Sequence, residues 1–137
     1  MNQPVAYTVL IGMSLLFIWG VSCIAYGYQS RKQSPSVKKY CREMTLYWGV
    51  INTLLGIFAV ITVLRAFDSY DSDLAAQQEL RRIFGLNVGL DFVYILAGLI
   101  TAYAGRHISA RRRGYGLAIV VQGVFLFILD GILSIVV

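Results

Sequence analysis

The sequence predicts an all-α fold, a bundle of four transmembrane helices, on three observations. Hydrophobic residues make up 58% of the 137 residues and charged residues only 14%, where soluble domains carry about a quarter charged. The apolar residues gather in four runs, at residues 5–28, 44–66, 86–104 and 115–137, each near the ~20 residues that cross a bilayer as a helix. None of the runs is split into the alternating ten-residue segments of a membrane β-barrel. By length the chain is one domain, residues 1–137.

The first run follows MNQP, which has no basic residue. Its apolar stretch outruns a signal-peptide h-region, so it reads as a retained first span. Before the second run, Ser34 offers a helix cap and Pro35 suits the first helical position. A helix from there through the span has about 30 residues and a length of ~45 Å, so its first turns protrude beyond a ~30 Å hydrocarbon core. The third run is expected to be preceded by a helical extension that starts near Asp73 and is capped by Asp71 or Ser72. The fourth follows a loop rich in arginine.

The net charge of +5 does not point to nucleic acid. The basic residues lie between the apolar runs and at their ends. The first loop carries Arg31, Lys32, Lys38, Lys39 and Arg42, and the third carries Arg106, Arg111, Arg112 and Arg113. The middle loop has only Arg65, Arg81 and Arg82. This asymmetry predicts loops one and three in the cytoplasm, with both termini and the middle loop outside. The basic loops would meet anionic lipid headgroups, at about 1 kcal/mol per residue near the surface. Further copies of the chain, or other membrane subunits, are the other expected partners. Cys23 and Cys41 fall on the reducing side and form no metal pattern, and His107 is the single histidine; no disulfide, metal or cofactor is expected.

Small and polar residues share helix faces. The second span has Gly49, Asn52 and Gly56, the third Asn87, Asp91, Tyr94 and Gly98, and the fourth Gly116, Gly123 and Asp130. These spacings put each set on one stripe, and glycine stripes let membrane helices approach closely. The stripes are expected to face the bundle interior. Trp48-Gly49 and Gly56-Ile57-Phe58 match Tyr115-Gly116 and Gly123-Val124-Phe125, while Gly20 and Gly27 match Gly98 and Gly105. The chain therefore reads as two duplicated helical hairpins in a parallel repeat.

The candidate site is an intramembrane polar cluster of Asp91, Asp130, Asn87, Tyr94, Gln122 and Asn52, with Asn52 nearer the cytoplasmic side. A carboxylate in hydrocarbon costs at least ~2.5 kcal/mol, and such residues are functional candidates by default. The aspartates could be protonated and hydrogen-bonded to Asn, Gln or Tyr, could share one proton, or could bind a cation or line a watery cavity.

The segments WGVINTLLG, NVGLDFVYILAG and GYGLAIVVQGVFLFILDG resemble a family of small bacterial four-span membrane proteins of unknown function. The resemblance covers spans two to four and rests on Asn52, Asn87, Gly89, Asp91, Tyr94, Gly116, Gln122, Gly123 and Asp130. It implies the four-span fold, a bacterial cytoplasmic membrane and the same polar residues, and no activity.

No nucleophile–base pair or phosphate loop is visible, so the chain is expected to be no enzyme. The favoured reading is a structural, accessory or ligand-binding membrane component. The alternative is a small proton- or cation-coupled transporter or channel acting as an oligomer. Small multidrug transporters are similar in architecture but carry a carboxylate in the first span, where this chain has none. A third reading is an apolar ligand between helices, with Trp19, Trp48 and Tyr94 on the walls.

Overall fold

A computed structural model describes residues 3–66 and 73–137, with side chains for 4–61 and 77–137. The described residues form four helices and no strand: α1 (Gln3–Tyr28), α2 (Val37–Ala66), α3 (Asp73–Gly105) and α4 (Ala110–Val136). All four are long and apolar enough to cross a membrane.

Local chemistry sets the helix ends. After α1 a 3-10 turn runs over Gln29–Lys32, and the Gln33 N–H donates to the Ser30 carbonyl at 3.2 Å. The Ser36 hydroxyl accepts from the Lys39 N–H at 3.2 Å. Ser36, not Ser34, is therefore the cap, and α2 starts at Val37 rather than Pro35. Its 30 residues match the expected protruding helix. The expected caps Asp71 and Ser72 lie outside the described residues. From Asp73, α3 runs unbroken to Gly105 over 33 residues, so the extension and the span are one helix. Ser109, in extended backbone, accepts from the Arg112 N–H and caps α4. Arg111, Arg112 and Arg113 thus form the first turn of α4, not a loop before it.

α1 packs on α2 and α3 packs on α4; the two hairpins meet through α2 against α4, with α1 touching α4. Glycine makes both hairpins possible. A Cβ on Gly20 would fall 2.6 Å from the Thr53 nitrogen and 2.9 Å from the Gly49 carbonyl oxygen. A Cβ on Gly98 would fall 2.8 Å from the Val120 nitrogen and 2.9 Å from the Gly116 carbonyl oxygen. Thr53 follows Gly49 by four residues, and Val120 follows Gly116 by four. The register continues: Gly27 faces Leu46 as Gly105 faces Arg113, and Gly56 faces Phe17 as Gly123 faces Ile95. Matched glycines meet matched partners throughout, which is the geometry of a duplicated hairpin.

The outer surface is apolar. Ile11, Leu54, Phe58, Ile100 and Ile135 are each more than 60% exposed, an amount of bare hydrocarbon that a soluble monomer rarely carries. Towards the end away from the basic loops, Val5, Val9, Phe84, Leu129, Leu133 and Val137 close an apolar core.

The tight seam yields a contrast. Gly116→Leu would drive a side chain into the backbone of α3 at Ala102 and Gly98, and overpacking of this kind costs up to ~3 kcal/mol or more. Nothing lies within 4 Å of a Cβ on Gly89, so Gly89→Leu is expected to leave the hairpin intact. Thermal unfolding in mild detergent should separate the two variants clearly.

Candidate functional site

Gln122 sits beside Gly123 on the inner face of α4 and is 1% exposed. Its Oε1 accepts from Trp19 Nε1 at 2.9 Å and from Asn52 Nδ2 at 3.0 Å, and its Nε2 donates to Cys23 Sγ at 3.4 Å. One side chain of α4 thereby holds α1 and α2. The Trp19 ring stacks on Phe125, with centroids 4.2 Å apart and planes 6° apart. Gln122 uses both ends of its amide, so this network reads as a clamp between the hairpins. Asn52 Oδ1 is the atom of the clamp left buried and unpartnered.

The aspartates form a second, separate group. Asp91 is 3% and Asp130 7% exposed, and the two side chains lie within interaction range of each other across the α3–α4 seam. A hydrogen bond between them would need a carboxyl proton, because two carboxylates offer no donor. Among the described residues neither aspartate has an ion-pair partner. Asp91 Oδ2 is buried and makes no hydrogen bond.

The expected cluster divides, with Asn52, set nearer the cytoplasmic side by the sequence, in the clamp and apart from the carboxyl pair. Gln122 precedes Asp130 by eight residues, ~12 Å along the helix, which puts the clamp and the carboxyl pair at different depths. Asn87 is half-buried one turn before Asp91 and makes no side-chain hydrogen bond among the described residues. Tyr94 leaves the expected interior stripe: it is exposed, and its ring meets Trp48 of α2 edge-on at 5.6 Å. Three residues past Asp91 is about 60° round the helix, where the ring meets α2.

Sequence reasoning did not assign Trp19 and Cys23 to the polar network. Their signal is weak: one turn apart on α1, flanking Gly20. It also missed Glu43, whose Oε1 accepts from the hydroxyls of Tyr115 at 2.6 Å and Tyr47 at 3.2 Å. Glu43 ties α2 to α4 at the basic end, where the Arg111 guanidinium lies 5.4 Å from the Tyr40 ring and 5.7 Å from that of Tyr115. Among the described residues no group of histidines, cysteines and carboxylates could hold a metal ion.

The sequence profile of a family of unknown function, DUF6992, matches residues 15–131. The chain belongs to that family. No curated protein and no solved structure matches it. The matched region includes Trp19, Asn52, Asp91, Gln122 and Asp130, so the clamp and the carboxyl pair both lie within it. The expected resemblance to an uncharacterised family agrees with this match.

Proposed function

We propose that this DUF6992 protein is a non-enzymatic integral membrane component. In this reading a duplicated hairpin scaffold is fixed by the Gln122 clamp, and the Asp91–Asp130 pair binds a proton or a cationic group. One observation carries it. Asp91 lies seven residues before Gly98, and Met13 lies seven before the matched Gly20; Asp130 lies seven after Gly123, and Val63 seven after the matched Gly56. The first hairpin packs on the same glycine register, and its sequence has apolar residues at both places. The carboxyl pair is thus no requirement of the hairpin fold.

The chemistry follows from the pair itself. One proton between two carboxyl groups leaves a single net charge in a low-dielectric site. The unpartnered Asp91 Oδ2 is an acceptor for an incoming donor or cation. The same oxygen favours a second reading, coupled transport of a proton or cation by an oligomer.

Reconstitution into vesicles containing a pH indicator tests both readings. A flux that disappears in Asp91→Asn would select transport. Binding without transport predicts no flux in the wild type and unchanged assembly in Asp91→Asn and Asp130→Asn. Assembly lost in both variants, with no flux in the wild type, would leave the pair a structural part and sink the proposal.

The proposed orientation puts the basic loops in the cytoplasm and the start of α3 outside. In a Cys23→Ala/Cys41→Ser background, Gln78→Cys is expected to react with an impermeant thiol reagent added to intact cells. Labelling of Arg106→Cys instead would invert the topology.

A further inference from the structure

The two hairpins differ most at the basic end. The second turns from α3 to α4 within residues 106–109, whereas the first spends residues 29–36 between α1 and α2. The additional residues of the first connection build something. Gln29, Arg31, Lys32 and Gln33 line a cavity of about 500 Å³ together with Tyr28 and Arg42, within the ~300–1,000 Å³ range of small-molecule sites. Three cations and no carboxylate face it. Among the described residues none of these cations is in an ion pair.

Two of the residues that line the cavity carry a spare donor and a spare acceptor. The Arg42 guanidinium is fixed by an Nη1 bond to Gln29 Oε1 at 3.0 Å and lies 4.7 Å from the Tyr26 ring centroid. Its Nε is buried and unpartnered, and so is Gln33 Oε1. The neighbouring carboxylate, Glu43, is engaged by the hydroxyls of Tyr47 and Tyr115. Gly27 lets the last turn of α1 close onto the Arg42 carbonyl, which sets Arg42 beside the end of that helix.

We infer that this cavity binds a phosphate group that also carries a hydroxyl. The anionic oxygens take Arg42 Nε–H and the charges of Arg31 and Lys32, as guanidinium and ammonium groups take phosphate elsewhere. The hydroxyl donates to Gln33 Oε1. Two sources supply this chemistry: the phosphodiester and glycerol of an anionic lipid headgroup, and free hydrogen phosphate.

The test uses the full chain in neutral detergent. Native mass spectrometry is run with phosphatidylglycerol and with phosphatidylcholine, and calorimetric titration with inorganic phosphate. Phosphatidylglycerol or phosphate should bind, and phosphatidylcholine should not. Arg42→Gln should weaken binding about tenfold, the usual scale for losing one charge-assisted bond. The charge-matched Arg106→Gln, on the other basic turn, should leave it unchanged. Preference for phosphatidylglycerol over phosphate assigns the lipid source, and the reverse assigns the soluble one. If Arg42→Gln does not fold, Arg31→Gln/Lys32→Gln against Arg106→Gln/Arg112→Gln gives the same comparison at exposed positions. Equal loss in the control, or no discrimination between the two lipids together with no phosphate binding, overturns the site.

Discussion

Replacing Gln122 with leucine is expected to lower the unfolding free energy in mild detergent by about 2–3 kcal/mol. The substitution removes the acceptor of two buried donors, Trp19 Nε1 and Asn52 Nδ2. A stranded buried donor costs ~1–3 kcal/mol; interhelical bonds in membranes average nearer ~0.6 kcal/mol and reach ~1.7, which sets the lower part of the range. Asn52→Leu should cost less, because Trp19 keeps its acceptor and the unpartnered Asn52 Oδ1 is removed with the rest of the amide. In Gln122→Leu/Asn52→Leu the second substitution should add little. Full additivity in that cycle would mean that the two residues act apart and that Gln122 is no clamp. In a Trp48→Phe background, Trp19 fluorescence gives an independent readout, since its indole loses both its bond to Gln122 and the register of its stack on Phe125.

The carboxyl pair is expected to behave in the opposite way. Asp91→Met/Asp130→Val copies the residues at the matched places in the first hairpin and should raise stability by about 1–2 kcal/mol, as apolar replacement of a buried polar pair often does. Each single apolar substitution should lower stability, because it leaves the other carboxyl buried without its partner. A site kept for binding, against the interest of packing, gives this pattern of two losses and one gain. If the double variant is instead less stable than either single variant, the pair is part of the packing and the first hairpin is a poor guide to the second.

The same contrast explains what could be read in the chain. Four helices follow from composition and run length. The glycine seam follows from periodicity, since the contacts of Gly20, Gly49, Gly98 and Gly116 depend on backbone approach and little else. The meeting of Asp91 and Asp130 was legible because both lie on stripes that carry those glycines. The clamp was not. Gln122 could be placed at mid-depth, but its partners depend on how one hairpin slides along the other, and no repeat or spacing encodes that offset. Tyr94 shows the limit of stripe arguments: three residues past a buried aspartate is close enough to share a face on paper and far enough for a bulky ring to turn outward. The cap at Ser36 rather than Ser34 is the same kind of error on a smaller scale, a choice between neighbouring serines that the 3-10 turn decides.

The central claim is that Asp91 and Asp130 hold a proton between them in the membrane-spanning part of the second hairpin. Infrared spectroscopy of the full chain carrying carboxyl-labelled aspartate addresses it directly. At neutral pH the account predicts the carbonyl band of a protonated, hydrogen-bonded carboxylic acid in the wild type, absent from Asp91→Asn/Asp130→Asn. A wild-type spectrum showing only carboxylate bands would contradict it.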